Sequence, residues 1–247
     1  MLFTVLLIWS LKAGIEVLGR WSEFFIWLVI LIFLSITIMS IPQMDLNRLK
    51  PILNYNLRPL LKGAFSSFTF PFGETIVFTM VFSNISKVKN YKKIFMVSLF
   101  IGGGIISIAT IRNILILGSK TIARVYFLSP MSISLINLGS MLQRLEMLVA
   151  IVFLVCVFVK SSICIFAVCN GISKVFGFDD YKFIATPVSL LMFCFSFSVY
   201  KSTMEMSSWA ADIYPYYASV FQVIIPLIIF IIAEIKSRNS SSKIVTK

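Results

Sequence analysis

Charged residues in this chain gather in short clusters, and between the clusters run long uncharged, apolar stretches. A bilayer core about 30 Å thick needs about 20 such residues in a helix, so the stretches are predicted to cross a membrane. Phe24–Ile41, Gly63–Ser86, Ile94–Leu117, Glu146–Ser173, Phe183–Tyr200 and Tyr214–Ala233 are predicted as full spans. Pro42 ends the first of these. Leu2–Leu11 is apolar but short for a crossing, and it lacks the basic leader and small-residue cleavage site of a signal peptide. It reads as the trailing part of a helix whose beginning would precede Met1. Thr121–Gln143, interrupted by Arg124, Ser129-Pro130 and several serines, is expected to be a re-entrant or interfacial helix. The basic, serine-rich stretch after Glu234 is expected to be disordered. The fold class that follows is an all-α integral membrane protein with about six full transmembrane helices and one partial helix. Residues 1–235 would form a single transmembrane domain and 236–247 a basic cytoplasmic tail.

Composition agrees: 59% of residues are hydrophobic and 13% charged, against roughly 45–50% and 25% in soluble domains. The formal net charge of +12 raises the question of nucleic acid, but no basic helix face or aromatic-basic platform accompanies it, so no nucleic-acid partner is expected. The lysines and arginines stand between apolar runs, where they set topology and meet anionic membrane lipids. Lys12, Arg20, Lys87, Lys89, Lys92, Lys93, Lys174, Lys182, Lys236, Arg238, Lys243 and Lys247 fall on one side. Arg48, Lys50, Arg58, Lys62, Lys120, Arg124, Arg144 and Lys201 fall on the other, spread over longer connections. The first set is assigned to the cytoplasm. Trp21, Trp27, Trp209, Tyr214, Tyr216 and Tyr217 lie near predicted span ends, where amphipathic rings favour the interface.

The chain has no histidine, and Cys156, Cys164, Cys169 and Cys194 all lie in apolar segments without a CxxC spacing. Metal sites and Cys/His catalysis lack their groups, and the cysteines read as small packing residues. No phosphate loop, dinucleotide fingerprint or nucleophile elbow is present. Neither an enzyme nor a cofactor is expected.

The most informative interruption is Phe70-Pro71-Phe72-Gly73-Glu74, in the middle of a run that has no other charged residue from Gly63 to Ser86. Proline removes a backbone donor and glycine adds freedom, so the helix should break. Lipid cannot satisfy the peptide groups that a break exposes, so protein or a polar cavity must. Broken helices of this kind line mid-membrane sites in secondary transporters. A second ionisable group, Lys160, sits deep in the Glu146–Ser173 run, and an ammonium there costs a few kcal/mol unless it is paired or wet. Glu74 is the acidic residue at comparable depth. The two would either line a cavity as a charge pair or fix helix register as a structural one. Arg112, towards the far end of its run, is expected to reach headgroups. Arg20-Trp21-Ser22-Glu23, preceded by Glu16, is expected to form a charged elbow between the first two segments, and Arg144 with Glu146 a similar cluster at the start of the long span.

Several stretches, taken in order, resemble spore germination proteins of the GerAB/GerKB family, within the amino acid-polyamine-organocation transporter superfamily. They are Lys12-Ala13-Gly14-Ile15-Glu16-Val17-Leu18-Gly19-Arg20-Trp21-Ser22-Glu23, Lys50-Pro51-Ile52-Leu53, Phe70-Pro71-Phe72-Gly73-Glu74 and Arg112-Asn113 with Leu117-Gly118. Leu142-Gln143-Arg144-Leu145-Glu146, Phe158-Val159-Lys160 and Tyr214-Pro215-Tyr216-Tyr217-Ala218 complete the series. The resemblance implies a LeuT-like inverted-repeat fold of about ten helices, of which this chain would hold the end of the fourth through the tenth. It implies the membrane subunit of a nutrient germinant receptor in the spore inner membrane, working with a larger A-type subunit and a lipoprotein C-type subunit. A small-molecule germinant, an amino acid or similar, would meet Phe70, Pro71, Phe72, Gly73 and Glu74 on the broken helix and Cys156, Val157 and Lys160 on the eighth. A proton-coupled amino acid permease and a truncated, non-functional remnant are the alternatives.

Overall fold

A computed structural model describes the backbone of residues 1–50, 56–82, 90–122, 124–134 and 142–245, with side chains throughout except at 142–146 and 237–245. Among the described residues the chain is helical and has no strand. Five stretches of the described residues are long and apolar enough to cross a bilayer: Ile15–Gln43, Leu57–Phe82, Tyr91–Leu117, Met147–Phe176 and Tyr214–Lys236. Phe24, Trp27, Phe100, Phe153 and Phe230 stand exposed on them, the arrangement expected where the surrounding solvent is hydrocarbon. This is an all-α, multi-pass membrane protein. Two compact units make it up: Met1–Asn54 with Val77–Val199, and Tyr55–Ile76 with Tyr200–Lys247.

In the first unit, α1 (Leu2–Ala13) passes to α2 (Ile15–Ser40) at Gly14. Gly14 has φ 105°, a value that a Cβ disfavours, so a glycine marks the turn. The charged elbow expected at Arg20–Glu23 is instead helical and belongs to α2. Arg20, Trp21 and Glu23 are exposed; charge on an outer face is tolerated by a helix that extends beyond its apolar stretch. After α4 (Phe78–Phe82), α5 (Tyr91–Leu117) runs unbroken through Gly102-Gly103-Gly104. Among the described residues, the single helix expected over Thr121–Gln143 appears as two short ones, α6 (Ser119–Ile122) and α7 (Leu128–Ser134); residues 123 and 135–141 lie outside the described residues.

The long α8 (Leu142–Phe176) and α9 (Lys182–Ser196) follow. α9 is shorter than the span predicted over Phe183–Tyr200, and among the described residues it falls below the length of a crossing. Apolarity continues past Ser196, but the backbone turns there, with Ser198 N–H donating to the Phe195 carbonyl. α1, α8 and α9 pack around Leu7, Leu11, Ile165, Phe166, Cys169, Ile184 and Ala185. Tyr181 closes one end of this core: its ring meets Phe166 edge-on with centroids 5.0 Å apart, and its hydroxyl donates to the Leu11 carbonyl at 3.3 Å. A smaller core of Ile32, Ile36 and Ile133 joins α2, α7 and α8.

The second unit contains α3 (Leu57–Ser67), a π turn over Phe68–Phe72, and the start of a 3-10 turn over Gly73–Val77. It continues with α10 (Thr203–Asp212), α11 (Tyr214–Ser219), a second π turn over Val220–Ile224, and α12 (Ile225–Val245). α12 carries on to Val245, where disorder was expected after Glu234; no glycine or proline follows Pro226 to stop it. α10 was not anticipated. It is capped by Ser202, whose Oγ accepts from Glu205 N–H at 3.2 Å, while Glu205 Oε2 accepts from Lys201 N–H at 2.9 Å.

Candidate functional site

At the predicted break Phe70 adopts an extended backbone, φ −132° and ψ 118°, between helical neighbours. The ring of Pro71 disfavours the helical conformation in the residue before it, which places the break at Phe70. Nearby hydroxyls cap carbonyls along this segment. Thr69, fully buried, donates to Ser66 O at 3.0 Å and Phe65 O at 3.3 Å, and Thr75 donates to Phe72 O at 2.6 Å. Such internal satisfaction is what a bilayer demands of irregular backbone.

The carboxylate of Glu74 is half-buried. Tyr214 Oη donates to Glu74 Oε1 at 2.6 Å, and Gln222 Nε2 donates to Tyr214 Oη at 3.4 Å. The Phe70 and Tyr214 rings meet edge-on, centroids 6.2 Å apart, and Trp209 lies 5.5 Å from Tyr214. Gly73 gives this cluster room, since a Cβ there would run into Gln222 Oε1 and lie 2.8 Å from its Cδ. Phe70, Pro71, Phe72, Gly73 and Glu74 are thus assembled in one unit with Tyr214 and Gln222, which were not among the predicted site residues. Tyr214 was assigned to the membrane interface. Gln222 carried a signal: it is the one polar side chain between Val220 and Ala233, and isolated polar groups within a span tend to be functional.

The other three predicted residues belong to the first unit. Cys156 and Lys160 lie on the exposed face of α8, and Val157 is half-buried. Neighbouring residues of α8, Leu154, Val155 and Phe158, line an apolar cavity of about 310 Å³ together with Phe3 and Trp9 of α1 and Trp21 of α2.

Arg112 corrects its expectation. Rather than reaching headgroups it is buried, 4% exposed, beside Asn113 at 5%. Its Nη1 donates to Thr37 Oγ1 at 3.4 Å and its Nη2 to Asn113 Oδ1 at 3.3 Å, and its guanidinium carbon lies 5.8 Å from the centroid of Phe33. Asn113 also donates to Ser129 Oγ at 3.3 Å and accepts from Ser132 Oγ at 2.9 Å. α7 packs over the end of α5 through the bonds of Ser129 and Ser132 to Asn113, and Thr37 and Phe33 of α2 face the guanidinium, so closeness to a helix end does not bring it to the surface.

A sequence model of the Spore_permease family, described as spore germination protein, matches residues 1–205. The chain belongs to the spore germination protein family. It is 29% identical to Spore germination protein KB of Bacillus subtilis (strain 168) over 243 residues, which are 96% of this chain and 65% of that protein. It is 23% identical to Putative spore germination protein YfkT of the same organism, over 92% of this chain and 62% of that protein. A third relative, Spore germination protein YndE, is 25% identical over 68% of this chain and 47% of its own length. The chain therefore spans less than two thirds of the length of each of these relatives. No solved structure matches it. Within the spore germination protein family match lie the broken helix and the Arg112 cluster, whereas Tyr214 and Gln222 fall beyond residue 205.

Proposed function

We propose that this chain belongs to the permease-like, B-type membrane subunit of a nutrient germinant receptor, seated in the spore inner membrane and coupled to A-type and C-type partner subunits. The observation that carries the reading is the break at Phe70 in an apolar span, with Glu74 beside it in a hydrogen-bonded cluster. Half-helix ends at such a break bear partial charges suited to a zwitterion. A small germinant held there would bias the subunit between two conformations. It can do so only by its differential affinity for them. An inverted-repeat architecture fits this role, because such folds place their site at the repeat interface.

The test is to replace Pro71 and Gly73 together by alanine in the full-length protein. Spores carrying it should retain the protein in their membrane and lose the germinant response; normal germination overturns the site. Reconstituted alone in vesicles, the full-length protein should bind radiolabelled germinant saturably with little accumulation. Robust proton-driven uptake without a partner makes it a permease.

A further inference from the structure

The apolar cavity between α1, α2 and α8 lies within the first unit and holds about 310 Å³. An apolar cavity of about half that volume stays dry and binds benzene. The wall runs from Phe3 to Ala13 on α1 and from Val17 to Phe25 on α2, with Leu154 and Phe158 of α8 behind them. That stretch of α1 rises about 15 Å, half of the roughly 30 Å hydrocarbon core and so the depth of one leaflet. Ser10, a polar residue in the wall, is satisfied within the protein. Its hydroxyl donates to the Leu7 carbonyl at 2.8 Å and shares a hydrogen bond of 3.2 Å with Ser162 Oγ.

Trp9 and Trp21 line the cavity yet are 72% and 56% exposed, so they stand at its mouth. Indole rings favour the headgroup level, where their N–H groups can donate to ester and phosphate oxygens. Lys12 and Arg20 are exposed nearby on the same two helices, and neither belongs to an ion pair among the described residues. By helical periodicity each stands about a third of a turn from the lining face of its helix, within reach of a long side chain. Glu16 and Glu23 fall on the far side of α2 from Val17, Trp21 and Phe25. The charge at the mouth is therefore positive. We propose that the cavity holds one acyl chain of an anionic phospholipid whose phosphate meets Lys12 and Arg20. Lipid tails are as apolar as the wall, so a chain gains little by leaving the bilayer. The head supplies the selectivity, about fivefold for each basic residue.

Purified full-length protein in phosphatidylcholine nanodiscs, doped with phosphatidylglycerol carrying brominated acyl chains, tests this, because bromine quenches an indole that it touches. The contribution of Trp9 and Trp21 is read as the difference between the parent and a variant with Trp9→Phe and Trp21→Phe. Its quenching should saturate at a low fraction of brominated phosphatidylglycerol and require at least about tenfold more brominated phosphatidylcholine. Lys12→Gln with Arg20→Gln, two exposed changes that leave the packing alone, should abolish that preference. Ala13→Phe, which fills the cavity from its exposed wall, should remove the saturable component. Equal quenching by the two lipids, or quenching indifferent to both variants, overturns the inference. Absence of quenching overturns it too and gives the cavity to protein: a second copy if the particle is a dimer, another segment of the full-length chain if it is a monomer.

Discussion

Tyr214 and Glu74, 140 positions apart in the chain, share a hydrogen bond of 2.6 Å that ties α11 to the segment just after the helix break. A hydroxyl donating to a carboxylate is among the stronger protein hydrogen bonds, contributing about 1.5–3 kcal/mol. Tyr214→Phe removes the donor and leaves the ring contacts with Phe70 and Trp209 in place. Paired with Glu74→Gln in a double-mutant cycle, it should show a coupling of about 1–3 kcal/mol in the unfolding of the detergent-solubilised protein. Simple additivity would mean that the contact carries no energy.

Gly73 and Gln222 should behave as one unit. Gly73→Ala forces its new methyl group into the carboxamide of Gln222, and overpacking of this sort costs about 1–3 kcal/mol. Trimming the obstacle should relieve it, so Gly73→Ala with Gln222→Ala should be more stable than the sum of the two changes. Thermal unfolding of the single and double variants checks this; a double variant no better than the sum places the strain elsewhere.

The buried guanidinium offers a third comparison. Asn113 Oδ1 accepts from both Arg112 and Ser132, so Asn113→Ala strips two donors of their partner. It should cost about 1–3 kcal/mol. Thr37→Val removes a single 3.4 Å contact and should cost less than about 1 kcal/mol. Arg112→Lys keeps the charge but loses the planar fork, and should fall closer to the asparagine change. Equal effects at Asn113 and Thr37 would show that the cluster does not turn on Asn113.

These positions also show what was legible in the sequence. The break was, because proline, glycine and a lone carboxylate act on their own local backbone. The spans were, because apolar length is a local property, although run length misjudged where helices begin and end. α2 starts nine residues earlier than its apolar run (Ile15 rather than Phe24), and α9 stops at Ser196 while apolar residues continue. α10 could have been found: Ser202-Thr203-Met204-Glu205 is a capping box, but it lies beside an apolar run that drew the prediction to itself. The burial of Arg112 was not legible, since it depends on α2, whose Thr37 and Phe33 meet it from far back in the chain, and on α7 packing over α5 at Asn113 from 16 and 19 positions beyond that residue. The same holds for Tyr214 and Gln222, whose roles appear only when α11 and the second π turn meet the broken helix.

The last prediction concerns alkaline pH. Tyr181 lies between α8 and α9, outside the long spans, and its phenol is held above its ordinary value of 10.0, first by burial and then by the neighbouring charge of Asp180. A raised phenol value means that the folded protein disfavours the charged form more than the unfolded chain does. Its stabilising contribution is therefore complete below about pH 10 and is lost as pH rises through the folded value. Tyr181→Phe removes the ionisation together with the 3.3 Å hydrogen bond to Leu11. At neutral pH it should be less stable than the parent by about 0.5–1.5 kcal/mol. As pH rises above about 10 the gap should narrow, because only the parent loses stability through this group. Thermal midpoints of both proteins across that range test the assignment, and a gap that stays constant or widens at high pH would show that Tyr181 does not titrate against the core it covers.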